Sequence, residues 1–283
     1  MLTMFVALAV ALAISSEPIS YAKPNLLIEP AALLKEAAKF HILDLRSAGP
    51  IAEGRIPDAV AVELSKWSRT MTEGKADAAY WKQAIQAVGV TPDKPTVVYG
   101  SDMKEVCRGW WLMKYAGVKD VRVLNGGYEG FLAAGGKPSK DAPQVGVPAF
   151  DWKLDTERFA SKADVLTSVA DKARQIVDGR STGEFTGTTA SAKKKGHVPG
   201  ANNLEWSEFL DAKASRFKSA EDLAKLIATH KIDLAKPCTA YCQSGGRSSV
   251  VSFGLELIGA KDVRNYYRSW AEWGNAEDTP VEK

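Results

Sequence analysis

Short apolar runs rich in β-branched residues alternate along this chain with segments of helical period. Phe40 to Leu43, Thr96 to Tyr99, Val121 to Leu124, Gln175 to Val177 and Cys238 to Tyr241 read as buried strands of a parallel sheet. Trp81 to Val88, Cys107 to Tyr115, Ala220 to Ala228 and Ser248 to Ile258 carry the three- and four-residue apolar spacing of helices packed on such a sheet. Alternating strand and helix predict an α/β fold, a mainly parallel sheet with helices on both faces. One run stands apart. Leu2 to Ile14 is apolar apart from Thr3, but its 13 residues fall short of the roughly 20 that span a bilayer. Small residues follow at Ser20 and Ala22, so residues 1–22 read as a secretory signal and the product as periplasmic or secreted, with a retained anchor as the alternative.

The pattern is written twice. Gly117 to Arg122 recurs as Gly259 to Arg264, Gly54 to Ala59 as Gly196 to Ala201, and Lys94 to Tyr99 as Lys236 to Tyr241, all at an offset of 142 residues. Asp44-Leu45-Arg46-Ser47 matches Asp178-Gly179-Arg180-Ser181 at 134, so the second copy carries eight extra residues, Lys193-Lys194-Lys195 among them, read as a solvated loop. A period this long marks a duplicated domain rather than a solenoid. The expected division is a signal at 1–22, a first domain at 23–139, a linker at 140–150 inside a stretch rich in Gly, Pro and Lys, and a second domain at 151–283.

Composition narrows the function. With 45% hydrophobic and 25% charged residues in 283, the chain is neither disordered nor fibrous, and a formal charge of +3 spread over interspersed acids gives no reason to expect nucleic-acid or membrane-surface binding. Three cysteines, Cys107, Cys238 and Cys242, cannot all pair with one another. Neither they nor the three histidines have metal-ligand spacing, so no metal and no cofactor is expected.

In parallel sheets ligands bind beyond the carboxyl ends of the strands, which here points to Cys242-Gln243-Ser244-Gly245-Gly246-Arg247, between a strand and a helix. Paired glycines let backbone amides converge, and the helix dipole adds positive potential, so the loop can cradle an anion and favour a thiolate at its mouth. Arg247 adds a permanent charge suited to an oxyanion. Cys107 and Cys238 read as apolar filler, and Trp206, Trp270 and Trp273 as packing of the second domain. The repeat is an internal control: 242 less 142 is 100, and position 100 is glycine, so the first copy has the fold without the nucleophile.

Asp178-Gly179-Arg180-Ser181 with Glu184-Phe185 and Gly187, then Gly196 to Ala201, the Cys242 loop and Ser269-Trp270-Ala271-Glu272-Trp273-Gly274 together resemble the tandem rhodanese family of exported bacterial type, the thiosulfate sulfurtransferases. The resemblance implies two tandem rhodanese-like domains, the first inactive, acting as a monomer on a small anionic sulfur donor and a thiophilic acceptor. It implies that Cys242 takes the outer sulfur of thiosulfate, holds it as a persulfide cradled by the backbone of residues 243–247, and gives it to cyanide or a thiol. Arg247 would bind the donor's sulfonate and Arg180 would assist from the next loop, or else form a salt bridge with Asp178. Gln243 and Ser244 would tune donor choice. Family members using 3-mercaptopyruvate are the alternative; an acid at Glu184 would repel a carboxylate and so favours thiosulfate. A cysteine phosphatase or arsenate reductase would need five residues between Cys and Arg, against four here. A non-catalytic binding module would not need the intact loop.

Overall fold

The computed structural model describes residues 20–148, 150, 153–211, 213 and 215–283. The expected signal segment therefore lies, up to residue 19, outside the described residues. The first half builds a five-stranded parallel sheet from β1 (Leu27–Ile28), β2 (His41–Asp44), β3 (Val60–Ala61), β4 (Thr96–Tyr99) and β5 (Val121–Leu124), in the order β1-β5-β4-β2-β3. The second builds a four-stranded parallel sheet from β6 (Gln175–Asp178), β7 (Asn202–Asn203), β10 (Cys238–Tyr241) and β11 (Val263–Asn265), in the order β11-β10-β6-β7. Between β7 and β10 lies a short antiparallel ribbon, β8 (Leu210–Asp211) with β9 (Arg216–Phe217). The counterpart of edge strand β1 is reduced in the second half to a single parallel bridge, Phe159 to Asn265.

The predicted strands and helices fall where the apolar pattern puts them, and the short strands β1, β3, β7, β8 and β9 escape that pattern because two residues carry no period. The helices Met103–Tyr115 and Gly246–Leu257, each following the central strand of its own sheet, pack against each other and join the halves. Trp110 meets Phe253 edge-on at 4.8 Å between ring centres. Phe217 of the ribbon donates its amide to Asn125 Oδ1 of the first half at 3.0 Å, and Arg216 pairs with Glu29. One core cluster consequently runs through both halves.

Each sheet is locked by the same buried triad. Asp44 and Asp178 end β2 and β6 at register partners of Tyr99 and Tyr241. Arg180 folds back to donate Nε and Nη2 to the two Asp178 oxygens at 3.0 and 2.6 Å, and Nη2 again to the Gly196 carbonyl at 2.8 Å. Tyr241 donates to Asp178 at 2.5 Å and accepts from the Val198 amide at 3.1 Å. In the first copy Arg46, Asp44, Gly54, Tyr99 and Ile56 repeat the arrangement contact for contact. The guanidinium lies over Trp270 in one copy and Tyr128 in the other. Lys194, expected in a solvated loop, instead donates to the Thr279 carbonyl at 2.5 Å and clamps the eight-residue insertion to the chain end.

Removing one partner of such a buried pair leaves the other charge without compensation, which costs about 3–5 kcal/mol. Asp44→Ala and Asp178→Ala are expected to lose similar amounts of stability in urea denaturation, although only one of the two copies holds Cys242.

Candidate active site

Four carbonyl groups determine what the Cys242 loop presents. Cys242 and Gln243 give theirs to the amides of Trp270 and Ala271 at 2.9 and 3.0 Å, at the start of the Ser269–Trp273 helix. Ser244 gives its carbonyl to Arg108 Nη1 at 3.0 Å, and Gly245 accepts from the Ser249 amide and hydroxyl at 3.1 and 2.7 Å. With every one of these oxygens bonded outside the loop, the Ser244 amide, joined by that of Ser248, is left to the sulfur, an arrangement that favours negative charge. The glycines permit it. Gly245 has φ +85°, and a Cβ there would come within 2.6 Å of the Tyr267 ring; a Cβ on Gly246 would come within 2.3 Å of Arg108 Nη2. The sequence gives no packing role for this pair of glycines, and the structure supplies one at each.

Cys242 is 1% exposed at the loop mouth, ahead of the twelve-residue Gly246–Leu257 helix. Its amide donates to Ser269 Oγ at 3.0 Å. Burial pushes the thiol up, but the Ser248 hydroxyl and amide, the Arg247 charge and the Ser244 amide outweigh it and hold the thiol below its ordinary range. The Ser248 hydroxyl has one proton, for which Asn265 Oδ1 at 2.8 Å and the Gly245 carbonyl at 3.1 Å compete, so the amides and Arg247 are the lasting contributors. Asn265 in turn donates to Ser249 Oγ at 3.1 Å. Burial dominates at the other thiols: with smaller effects from nearby charges, it pushes Cys107 well up and Cys238 up to about 11. All three cysteines are free.

Arg247 is not free to meet a donor in this structure. Its Nη1 and Nη2 donate to the two oxygens of Glu184 at 2.6 and 2.9 Å. Burial raises the Glu184 carboxyl, and Arg247 and Ser181 more than reverse this, leaving it at about 2. Glu184 is positioned by a capping box with Ser181 at the start of the Thr182–Phe185 turn of helix. Of the two roles expected of Arg180, the structure has the salt bridge: the side chain is 1% exposed and spent on Asp178 and Gly196, and the copy without a cysteine at its loop mouth keeps the same bonds through Arg46. Gln243 is turned toward the insertion, exchanging two bonds with Ser191 at 2.8 and 3.0 Å. Ser244 contributes its backbone.

Sequence reading missed Ser248, Ser249 and Asn265, although the repeat carries the signal. At an offset of 142 they stand opposite Val106, Cys107 and Val123, and Arg247 stands opposite Glu105, so the polar frame is present only in the copy with the thiol. It also missed Arg108, which reaches the loop from the other copy.

A reactive thiol at the mouth of an amide cradle, on one of two duplicated parallel-sheet domains, defines a sulfur- or phosphate-handling cysteine protein. A family model for the rhodanese-like domain matches residues 29–134 and again 161–276. The chain is 32% identical over 269 residues to a thiosulfate sulfurtransferase of Pseudomonas aeruginosa, covering 91% of this chain and 97% of the relative. It is 26% identical over 261 residues to a 3-mercaptopyruvate sulfurtransferase of Escherichia coli, covering 86% and 92%. Its fold is similar to that of an anaerobic ergothioneine biosynthesis enzyme from Chlorobium limicola, with a TM-score of 0.82 at 24% identity over 92% of this chain and 70% of that one. The chain belongs to the rhodanese family, in its tandem-domain form, and to the sulfurtransferases within it.

The lowered thiol has a direct readout. At pH 6, iodoacetamide is expected to label Cys242 well before Cys107 or Cys238, as followed by peptide mass spectrometry, with the Cys242 rate levelling off below the pH at which an ordinary cysteine does, near 8.5.

Proposed function

We propose that the protein moves the outer sulfur of thiosulfate to cyanide or a thiol through a persulfide on Cys242. The Cys242 thiolate attacks the outer sulfur, the S–S bond of the donor breaks, and sulfite leaves with the bonding pair. The acceptor then attacks the outer persulfide sulfur and Cys242 departs as a thiolate. The observation that carries this reading is the outward turn of the first four carbonyls of the loop, which leaves the Ser244 and Ser248 amides to a thiol already biased toward its anion. Four residues between Cys242 and Arg247 make a narrower ring than the five of the phosphatases, suited to one sulfur.

In this reading Arg247 is shared between donor and Glu184. A sulfonate reaches the guanidinium by displacing the carboxylate, so the ion pair acts as a latch over the site. Thiosulfate is favoured by the relative matched over 91% of this chain. A second reading, 3-mercaptopyruvate as donor, is supported by the pairing of Glu184 with Arg247, because a donor carboxylate meets a matched pair rather than a bare acid. Comparison of kcat/KM for the two donors decides between them; a large preference for mercaptopyruvate overturns the thiosulfate choice.

Intact mass after thiosulfate treatment is expected to show the gain of one sulfur, lost in Cys242→Ala; no gain with either donor overturns the relay. Arg247→Ala is expected to lower kcat/KM about a hundredfold, whereas Glu184→Gln, which loosens the latch, is expected to lower the donor KM. Because Arg247 holds the folded-state Glu184 carboxyl at about 2, the pair contributes stability above the ordinary carboxylate range and loses it as pH falls toward 2. The wild type and Glu184→Gln are therefore expected to converge in stability in acid-denaturation series.

We also propose export, supported by the apolar run and the small residues Ser20 and Ala22. Cleavage after Ala22 would make Lys23 the first residue, where its nitrogen donates to the Leu257 carbonyl at 3.1 Å. N-terminal sequencing of protein recovered from the periplasm or medium is expected to begin at Lys23.

A further inference from the structure

The first copy has no thiol at its loop mouth, yet one of its side chains lies in the Cys242 loop. Arg108, on the Met103–Tyr115 helix, keeps only 11% of its side chain exposed. Its Nη1 donates to Ser68 Oγ at 2.7 Å, to the Ser244 carbonyl at 3.0 Å and to Tyr267 Oη at 3.1 Å. Its Nη2 makes none of these bonds and lies against Gly246, where even one added methyl carbon would stand 2.3 Å away. Its Nε sits 2.9 Å from Glu105, but without the direction of a hydrogen bond, so that buried donor is unsatisfied among the described residues. An arginine placed this way is committed to a fixed position by three acceptors and carries its charge to the first turn of the helix that begins behind the sulfur.

We propose that Arg108 is a positioning residue of the active centre, supplied across the domain interface by the copy that lacks the nucleophile. It would work by holding the Ser244 carbonyl outward and lending the Cys242 sulfur a second fixed positive charge beside Arg247. The proposal rests on reading Cys242 as the nucleophile, and on the bond from Arg108 to the Ser244 carbonyl. Tyr267 completes the arrangement: it donates to Ser68 Oγ at 2.9 Å and is stacked on Trp111 of the same first-copy helix at 5.1 Å, with Gly245 against its ring. Burial works against the charge on Arg108, and Tyr267, Glu105 and Cys242 more than restore it. The groups around the sulfur are Arg247, Ser248 and the Ser244 amide from its own loop and helix and Ser269 from beyond β11, with Glu184 behind Arg247, while Arg108, backed by Glu105, reaches the same loop at Ser244 and Gly246 from the opposite domain.

The test is the pH dependence of Cys242 alkylation in the full chain, with Arg108→Met and Arg108→Lys beside the wild type. A side chain that merely braces the interface would change thermal stability and leave this profile in place. In Arg108→Met the midpoint is expected to rise by about one pH unit, with sulfur uptake slowed about tenfold. In Arg108→Lys, which keeps the charge but cannot span Ser68, Ser244 and Tyr267 together, the midpoint is expected to stay within about half a unit while sulfur uptake slows about threefold or more. A wild-type midpoint in folded Arg108→Met overturns the proposal. Should that variant fail to fold, wild-type sulfur uptake by Arg108→Lys overturns it. No sulfur donor enters the alkylation experiment, so a protein that accepts no sulfur from thiosulfate would refute the relay while leaving the effect of Arg108 on the thiol measurable.

Discussion

A loop of six residues can cradle an anion only if its carbonyl oxygens are kept away from it, and the Cys242 centre meets that requirement with donors from three directions. The Ser269–Trp273 helix takes the first two carbonyls, the Gly246–Leu257 helix takes the fourth, and the opposite domain takes the third. Much else follows from this. Ser269 must adopt φ +54°, unusual for a residue with a side chain, to bring its hydroxyl under the Cys242 amide. Gly245 and Gly246 must lack side chains because Tyr267 and Arg108 occupy the space that a Cβ would need. The thiol then meets amides and a guanidinium in a buried setting, where such groups act more strongly than in water.

The duplication divides the work unevenly. Both copies retain the sheet and the helix that follows its central strand, and those helices form the interface. One copy has polar residues around the first turn of its helix, Ser248 and Ser249 with Asn265 on the adjoining strand, joined by bonds of 2.8 and 3.1 Å. The other fills the same positions with buried Val106, Cys107 and Val123. A buried hydroxyl or carboxamide without partners is costly, so the three polar groups of the second copy bond one another, and the first copy has apolar packing in their place.

Much of this was legible in the order of residues. The strands and helices came from runs such as Val121 to Leu124 and stripes such as Ala220 to Ala228, and the loop from a cysteine, two glycines and an arginine placed between Tyr241 and Ser248. Partnership was not legible. That Arg247 would be held by Glu184, or that Arg108 would cross from one half to the other, depends on how residues 63 and 136 positions apart are brought together, and local periodicity carries no such information. Comparison of the two copies singles out Cys242 at the loop mouth, and at positions 248, 249 and 265 it carries the polar frame around that thiol as well.

The Asp-Arg-Tyr triad, finally, bears on how chains of this kind are sorted. Its bonds are the same in the copy with the thiol and in the copy without it, down to the glycine carbonyl that receives the arginine. An Asp-x-Arg signature is therefore a diagnostic of a folded module and carries no information about turnover. A survey that counts such signatures would score two active centres in this chain, whereas the residue at the loop mouth, Gly100 in one copy and Cys242 in the other, separates scaffold from reagent.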